Sequence, residues 1–112
     1  MKVLMIVMLL AVTGLISACQ KSAKVRVECK IDKDQGYACE VNHFEGKAKA
    51  KACWDAVTTC QNGTKAIGSG CHEVEPGAKA QHLIPFDEIK NAKECDKPVG
   101  FDVTNIKVTI VD

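Results

Sequence analysis

Seven cysteines in 112 residues constrain this chain more than any other feature of its sequence. Cysteines at this density in a short chain are typical of exported domains that are cross-linked by disulfide bonds in an oxidising compartment. Cross-links suit a chain of this size, because a domain of about 90 residues buries only about 60–70% of the surface that its unfolded chain exposes. Seven is an odd number, so at least one cysteine must have a different role.

The N-terminal segment predicts what that role is. Lys2 is followed by an apolar run over residues 3–12 and by small residues before Cys19, which is the order of a secretory signal peptide. The run is shorter than the roughly 20 apolar residues that a transmembrane helix needs. We therefore predict that residues 1–18 are a signal peptide.

The end of this segment, Ile16, Ser17, Ala18 and Cys19, resembles the lipobox of bacterial lipoproteins. The resemblance implies that the Cys19 thiol receives a diacylglycerol, that the chain is cut before Cys19 and that the new amine is acylated. Gln20 stands where an Asp retains enteric lipoproteins in the inner membrane, which implies the outer membrane. The alternative is an ordinary signal peptide cut at Ala18, with Cys19 in a disulfide. We prefer lipidation because it leaves six cysteines, an even number.

Residues 19–24 are short and polar, so we predict a tether that holds residues 25–112 near the bilayer through the acylated Cys19. Removing Lys2 from the 15 basic residues leaves 14, against 14 acidic residues. This neutral balance argues against nucleic acid as a partner, since proteins that bind it usually carry a basic excess.

Apolar and charged residues alternate from Val25, which is the pattern of a half-buried strand, and a second alternating run follows the turn at residues 32–36. A hairpin centred on Asp34 places every apolar residue on one face. The same register sets Cys29 opposite Cys39, within reach of a disulfide.

Residues 47–60 are also predicted to form a strand, because their alternating lysines and alanines give a helix no coherent face. A three-residue loop at 61–63 places Cys53 opposite Cys71. A two-residue loop would place Cys53 opposite His72 instead. We prefer the first register because it forms a disulfide and sets a tryptophan over a glycine.

The remaining elements are predicted as a strand at residues 79–86, a short helix near residues 87–94 and a last strand at residues 101–111. The in/out parity of the last strand flips midway, which predicts a bulge near Asn105. By elimination, the last disulfide joins Cys60 and Cys95. The predicted fold is all-β: a small, disulfide-stapled antiparallel β-sandwich.

Residues 37–86 resemble the FxLYD-type Ig-like β-sandwich domains of bacterial envelope proteins. The matching features are the pair Val41-Asn42, the long strand into Asn62-Gly63, and Pro76-Gly77 before the next strand. Where the family has an aromatic residue and Asp at the end of the long strand, this chain has Thr59-Cys60. The resemblance implies an interaction module, because the family shares no catalytic residues.

Lys47, Lys49 and Lys51 are predicted to form a basic stripe on one strand face. The stripe is a candidate contact surface for lipid phosphates, peptidoglycan carboxylates or an acidic partner. We prefer the interpretation that the lysines protect an edge strand from aggregation, because the domain as a whole is neutral.

The three histidines, His43, His72 and His82, are candidate metal ligands. No two have the spacing of a zinc pair along the chain, and cysteines in an oxidising compartment are consumed as disulfides. We therefore expect neither a metal nor another cofactor. Ser69 lacks the GxSxG turn of a nucleophilic serine, and no CxxC motif occurs, so we expect no enzyme activity.

These features predict an outer-membrane lipoprotein that acts as a non-catalytic binding module for an envelope protein or glycan, accessory to a larger complex. One alternative is an inhibitor similar to the membrane-bound lysozyme inhibitors, although Ser69 and Gly70 lead here to Cys71 and His72 instead of the tyrosine pattern of that family. The other alternative is a structural coat lipoprotein.

Overall fold

The computed structural model describes residues 22–111, which form six strands and one 3₁₀ turn. The strands are β1 (Ala23–Asp32), β2 (Gly36–Gly46), β3 (Ala50–Cys60), β4 (Lys65–Val74), β5 (Lys79–Pro85) and β6 (Pro98–Ile110). The predicted signal peptide and the lipid attachment site at Cys19 lie outside the described residues. Within residues 22–111, no helix is long and apolar enough to cross a membrane.

The strands form two antiparallel sheets, one in the order β1-β2-β5 and the other in the order β4-β3-β6. Their inner faces share one apolar core, which confirms the predicted all-β fold of two antiparallel sheets. The orders match those of strands A-B-E and C′-C-F in Ig-like sandwiches. In those sandwiches strand F has a further neighbour, strand G, whereas β6 has no second neighbour among the described residues.

The core combines small residues on the second sheet with large residues on the first. On β3 the inward positions Ala50, Ala52 and Ala56 are fully buried, as is most of the Trp54 ring. These alanines leave room for the larger side chains that the first sheet contributes, and the largest of those are Tyr37, Val41, His43 and Ile84. Close packing of unequal side chains is what gives protein interiors their density.

Both predicted hairpin registers are present. Cys29 pairs with Cys39 in the first hairpin, and Cys53 pairs with Cys71 in the second. Gly63, with a φ of +88°, supplies the left-handed residue of the three-residue loop. Disulfides join three pairs of cysteines, and these are the pairs expected from sequence: Cys29–Cys39, Cys53–Cys71 and Cys60–Cys95.

The predicted helix near residues 87–94 is wrong. Only Phe86–Glu88 forms a 3₁₀ turn, and the backbone of Ile89 is extended. Lys90 then forms a two-way backbone bridge with Ile67 of β4, with N···O distances of 2.8 and 3.1 Å. This pairing with a distant strand overrides the local helix signal, and Asn91 follows with a φ of +63°.

Candidate functional site

The sandwich has two lateral seams, at which the edge strands of the two sheets approach each other. The β1–β6 seam lies along one side and the β4–β5 seam along the other. The edge strand of a sheet can pair with a further chain, so both seams are candidate binding sites. Their chemistry differs sharply.

The β1–β6 seam contains a groove of about 350 Å³. Its lining is Val27, Glu28 and Cys29 from β1 and Phe101, Asp102, Val103 and Ile106 from β6. Most of the apolar side chains that β6 turns inward are incompletely covered, and Ile106 is 45% exposed. The groove is therefore a mixed surface, in which apolar side chains lie beside two carboxylates, those of Glu28 and Asp102, and more of the lining is polar than apolar.

A bulge in β6 shapes this groove. The register against β3 shifts next to Asn105, whose φ is +54°, which confirms the predicted bulge. The inserted residue resets the alternation of the strand, so both Val103 and Ile106 line the groove although three positions separate them. Without the bulge, strand periodicity would turn one of these two side chains to the opposite face.

Hydrogen bonds on the outer face of the second sheet hold the bulge. The Asn105 amide donates to Asp55 Oδ2 at 2.8 Å, and the Ser69 hydroxyl donates to Asp55 Oδ1 at 2.6 Å. These two hydrogen bonds lower the pKa of the Asp55 carboxyl below its usual value, and the bond from Asn105 has the larger effect on the pKa. Asp55 of β3 is thus hydrogen-bonded to both neighbouring strands, to Ser69 of β4 and to Asn105 of β6.

Beside the groove, β6 presents a free backbone edge. Within residues 22–111 it pairs with β3 alone. In an antiparallel strand with one neighbour, alternate residues direct their N–H and C=O groups away from the sheet. The β1–β6 seam therefore offers both unpaired backbone groups and apolar side-chain contacts, and only an extended chain can use the two together.

A smaller apolar cavity of about 140 Å³ opens at one end of the sandwich, lined by Ile31, Tyr37, Phe86 and neighbouring residues. The Tyr37 hydroxyl donates to the Ala66 carbonyl at 2.9 Å and is hydrogen-bonded to Thr58 Oγ1 at 2.5 Å. Burial raises the pKa of Tyr37 above its usual value, although the bond to Thr58 opposes the shift. The Tyr37 hydroxyl is therefore neutral, and its hydrogen bonds are made within the fold.

The β4–β5 seam is closed by two histidines. His72 of β4 and His82 of β5 bring their Nδ1 atoms to 3.1 Å, and the two rings are nearly perpendicular. The Trp54 and His82 rings pack in a T-shaped arrangement, with their centroids 5.2 Å apart. Burial, followed by the charge of His72, lowers the pKa of His82, so this imidazole is neutral at pH 7. Sequence spacing missed the pair because its members lie on different sheets.

The three lysines of the predicted stripe do not all lie on one strand, although they alternate with the buried residues Ala48, Ala50 and Ala52. β3 begins at Ala50, so Lys47 and Lys49 precede the strand and only Lys51 lies on it. Lys49 forms ion pairs with two carboxylates, those of Glu73 at 3.2 Å and Glu75 at 4.0 Å. β3 is the central strand of its sheet, so the interpretation that the lysines protect an edge strand is wrong as well.

The third histidine, His43, is fully buried in β2. Its Nε2 atom is 2.6 Å from the carbonyl oxygen of Ala48, which ties β2 to the loop before β3. Among the described side chains, no three of His, Cys, Asp or Glu are grouped closely enough to hold a metal ion between them.

No protein-family model matches the chain, and no curated protein or solved structure resembles it closely enough to indicate shared ancestry.

Proposed function

We propose that this protein is an envelope lipoprotein, anchored in the outer membrane by the acylated Cys19, whose sandwich binds an extended segment of a protein partner at the β1–β6 seam. The observation that supports the proposal best is the coincidence of a free edge on β6 with a groove beside it that combines apolar and acidic side chains. No catalytic step is part of the proposed role.

The seam favours an extended peptide over a compact ligand. A strand that pairs with β6 satisfies the free backbone groups, and every second side chain of that strand points into the groove. The charged residues of the lining are Glu28 and Asp102, so the complementary peptide alternates apolar and basic residues. The partner segment that we propose has this pattern.

The anchor fits this role. β1 begins at Ala23, four residues after Cys19, so a fully extended link reaches only about 14 Å. The sandwich, and with it the β1–β6 seam, is then held close to the bilayer. Its partner is accordingly a segment that is itself near the membrane, as in an accessory subunit of an envelope complex.

Peptide binding tests the seam. We expect a labelled peptide of about nine residues that alternates valine and lysine to bind the full chain in detergent, measured by fluorescence anisotropy. Replacing its lysines by glutamates should remove binding. Ile106→Asp should weaken binding by at least about tenfold, since a charge then occupies an apolar contact.

Leu83→Asp is the matched control for Ile106→Asp. Leu83 lies on the outer face of β5 and is 44% exposed, nearly the same as Ile106, but it does not line the groove. Its substitution should leave binding unchanged. If the glutamate peptide binds as well as the lysine peptide, or if both aspartate variants weaken binding equally, the seam is not the binding site.

The anchor has a separate test. The intact mass of the membrane-extracted protein should correspond to residues 19–112 plus acyl chains, and Cys19→Ser should carry no acyl chains and retain residues 1–18. A water-soluble product with an unmodified Cys19 contradicts the lipoprotein proposal but leaves the peptide result standing. Inhibition of lysozyme at micromolar protein would support the inhibitor alternative instead.

A further inference from the structure

We propose that His72 and His82 form a binding site for a divalent first-row transition-metal ion, which is ligated by the two Nδ1 atoms across the β4–β5 seam. The site is independent of the proposed peptide-binding role, because it lies on the opposite side of the sandwich from the β1–β6 seam. The ligands come from the edge strands of different sheets, so the ion would link the two sheets.

The distance between the two ligand atoms suits a shared ion. Metal-to-imidazole bonds are about 2.0–2.1 Å long, so two nitrogens 3.1 Å apart subtend about 100° at the metal. This angle lies between those of octahedral and tetrahedral coordination. Small rotations of the two rings are enough to aim both lone pairs at one point, and water completes the coordination.

Binding requires a change of tautomer and no redox chemistry. In the metal-free pair, one Nδ1 carries a proton that it donates to the other Nδ1. When the ion binds, this proton leaves Nδ1 and Nε2 of the same ring becomes protonated through solvent. Both imidazoles then present an Nδ1 lone pair to the ion, and the two remain neutral, as metal ligation requires.

The surroundings hold the pair in place. Both histidines occupy core-facing positions of strands, and His82 is packed between the Trp54 ring and Gly70. An imidazole pair that is already fixed by packing binds metal with little loss of conformational entropy.

The ligand set also indicates the class of metal. Imidazole nitrogen suits zinc, nickel and copper, whereas magnesium and calcium prefer oxygen ligands. The expectation of no metal site came from spacing along the chain, which detects ligands on one element only. It does not apply to two histidines from facing edge strands, and a site of two protein ligands needs no third carboxylate or thiolate.

Trp54 provides the readout. It is the only tryptophan of the chain and lies 5.2 Å from His82, so a bound nickel ion should quench its fluorescence. We expect titration of the full chain with nickel chloride to quench Trp54 in a saturable way that EDTA reverses. Zinc chloride should compete, and magnesium chloride should not.

Single substitutions locate the ion. His72→Asn and His82→Asn should each weaken nickel binding at least about tenfold, because losing even a supporting group of a metal site costs about 10–100-fold. Gln81→Asn, on the adjacent outward position of β5, is the control and should bind as the parent does. All variants retain Cys19, so any binding by its thiol is common to all.

Two results would overturn the site. One is quenching that persists unchanged in both histidine variants, and the other is no saturable response to nickel in the parent chain. If a histidine variant does not fold, ¹⁵N NMR of the parent decides the matter. Zinc should then shift the Nδ1 resonances of His72 and His82 and leave His43, which is committed to the Ala48 carbonyl, unchanged.

Discussion

The two lateral seams of this sandwich join similar pairs of strands but are built in opposite ways. At the β4–β5 seam, two polar side chains meet at 3.1 Å above a tightly packed interior. At the β1–β6 seam, apolar and acidic side chains line a groove of about 350 Å³. An edge strand can thus be closed by a specific side-chain pair or left ready for another chain, within one small fold.

Residue size explains much of the difference. β4 has glycines at two core-facing positions, Gly68 and Gly70, which allow the large side chains of Ile84 and Trp54 to approach its backbone. β6 has no glycine at the inward positions that line the groove, which are occupied by Phe101, Val103 and Ile106, and a bulge interrupts its pairing with β3. The two sides therefore differ in side-chain packing: large buried side chains lie against the glycines of β4, whereas the inward side chains of β6 remain partly exposed.

Truncating one isoleucine at each side should give the largest contrast. Ile84 is 1% exposed and contacts the closed side, so Ile84→Ala should lower the free energy of unfolding by about 2–5 kcal/mol. Ile106→Ala, at the open groove, should lower it by less than about 1 kcal/mol. Urea unfolding midpoints at constant m-value measure both. Equal losses would show that the groove is as well packed as the core.

Adding one methyl group tests the same contrast from the other direction. A Cβ at Gly70 would lie 2.8 Å from Trp54 Cζ2, so Gly70→Ala should destabilise the protein by about 1–3 kcal/mol. A Cβ at Gly100 of β6 would be 3.7 Å from its nearest neighbour, an ordinary contact. Gly100→Ala, on the exposed outer face of β6, should therefore change the thermal midpoint little, and a drop as large as that of Gly70→Ala would show that contact with Trp54 is not the cause of the loss.

Acid should affect the bulge beside the open seam, with the smallest effect of the three. The pKa of Asp55 is lowered in the folded state, so its stabilising contribution is present above the unfolded-state value of about 3.9 and is lost as pH falls through the lower folded-state value. The parent should therefore lose more stability below about pH 4 than Asp55→Asn does. If the thermal midpoints of the parent and of Asp55→Asn fall in parallel as pH is lowered, Asp55 does not contribute to the acid sensitivity.

Sequence reasoning was most successful where the signal is local. Strand alternation and short turns determine the registers that pair Cys29 with Cys39 and Cys53 with Cys71. The flip in parity along the last strand likewise located the bulge at Asn105. In each case the residues that determine the geometry lie within one hairpin or one strand, so the alternation of apolar and polar residues is enough to predict it.

Prediction failed or was silent where distant parts of the chain meet. The helix near residues 87–94 is replaced by the backbone bridge from Lys90 to Ile67, which no local propensity encodes. The meeting of His72 and His82 depends on which edges of the two sheets face each other, and the alternation of single strands does not specify this. The candidate sites are therefore tertiary features.

The Cys53–Cys71 disulfide lies on the outer face of its sheet. Along β3 and β4, the residues on either side of each cysteine face inward. Cys71 is exposed, whereas each of the other two disulfides includes a buried cysteine, Cys39 or Cys60. A water-soluble reductant therefore reaches this bond first. After selective reduction, Cys53 and Cys71 can each take a label on the outer surface. The two labels would then be attached to adjacent strands at Cα atoms that are 4.1 Å apart in the disulfide-bonded protein.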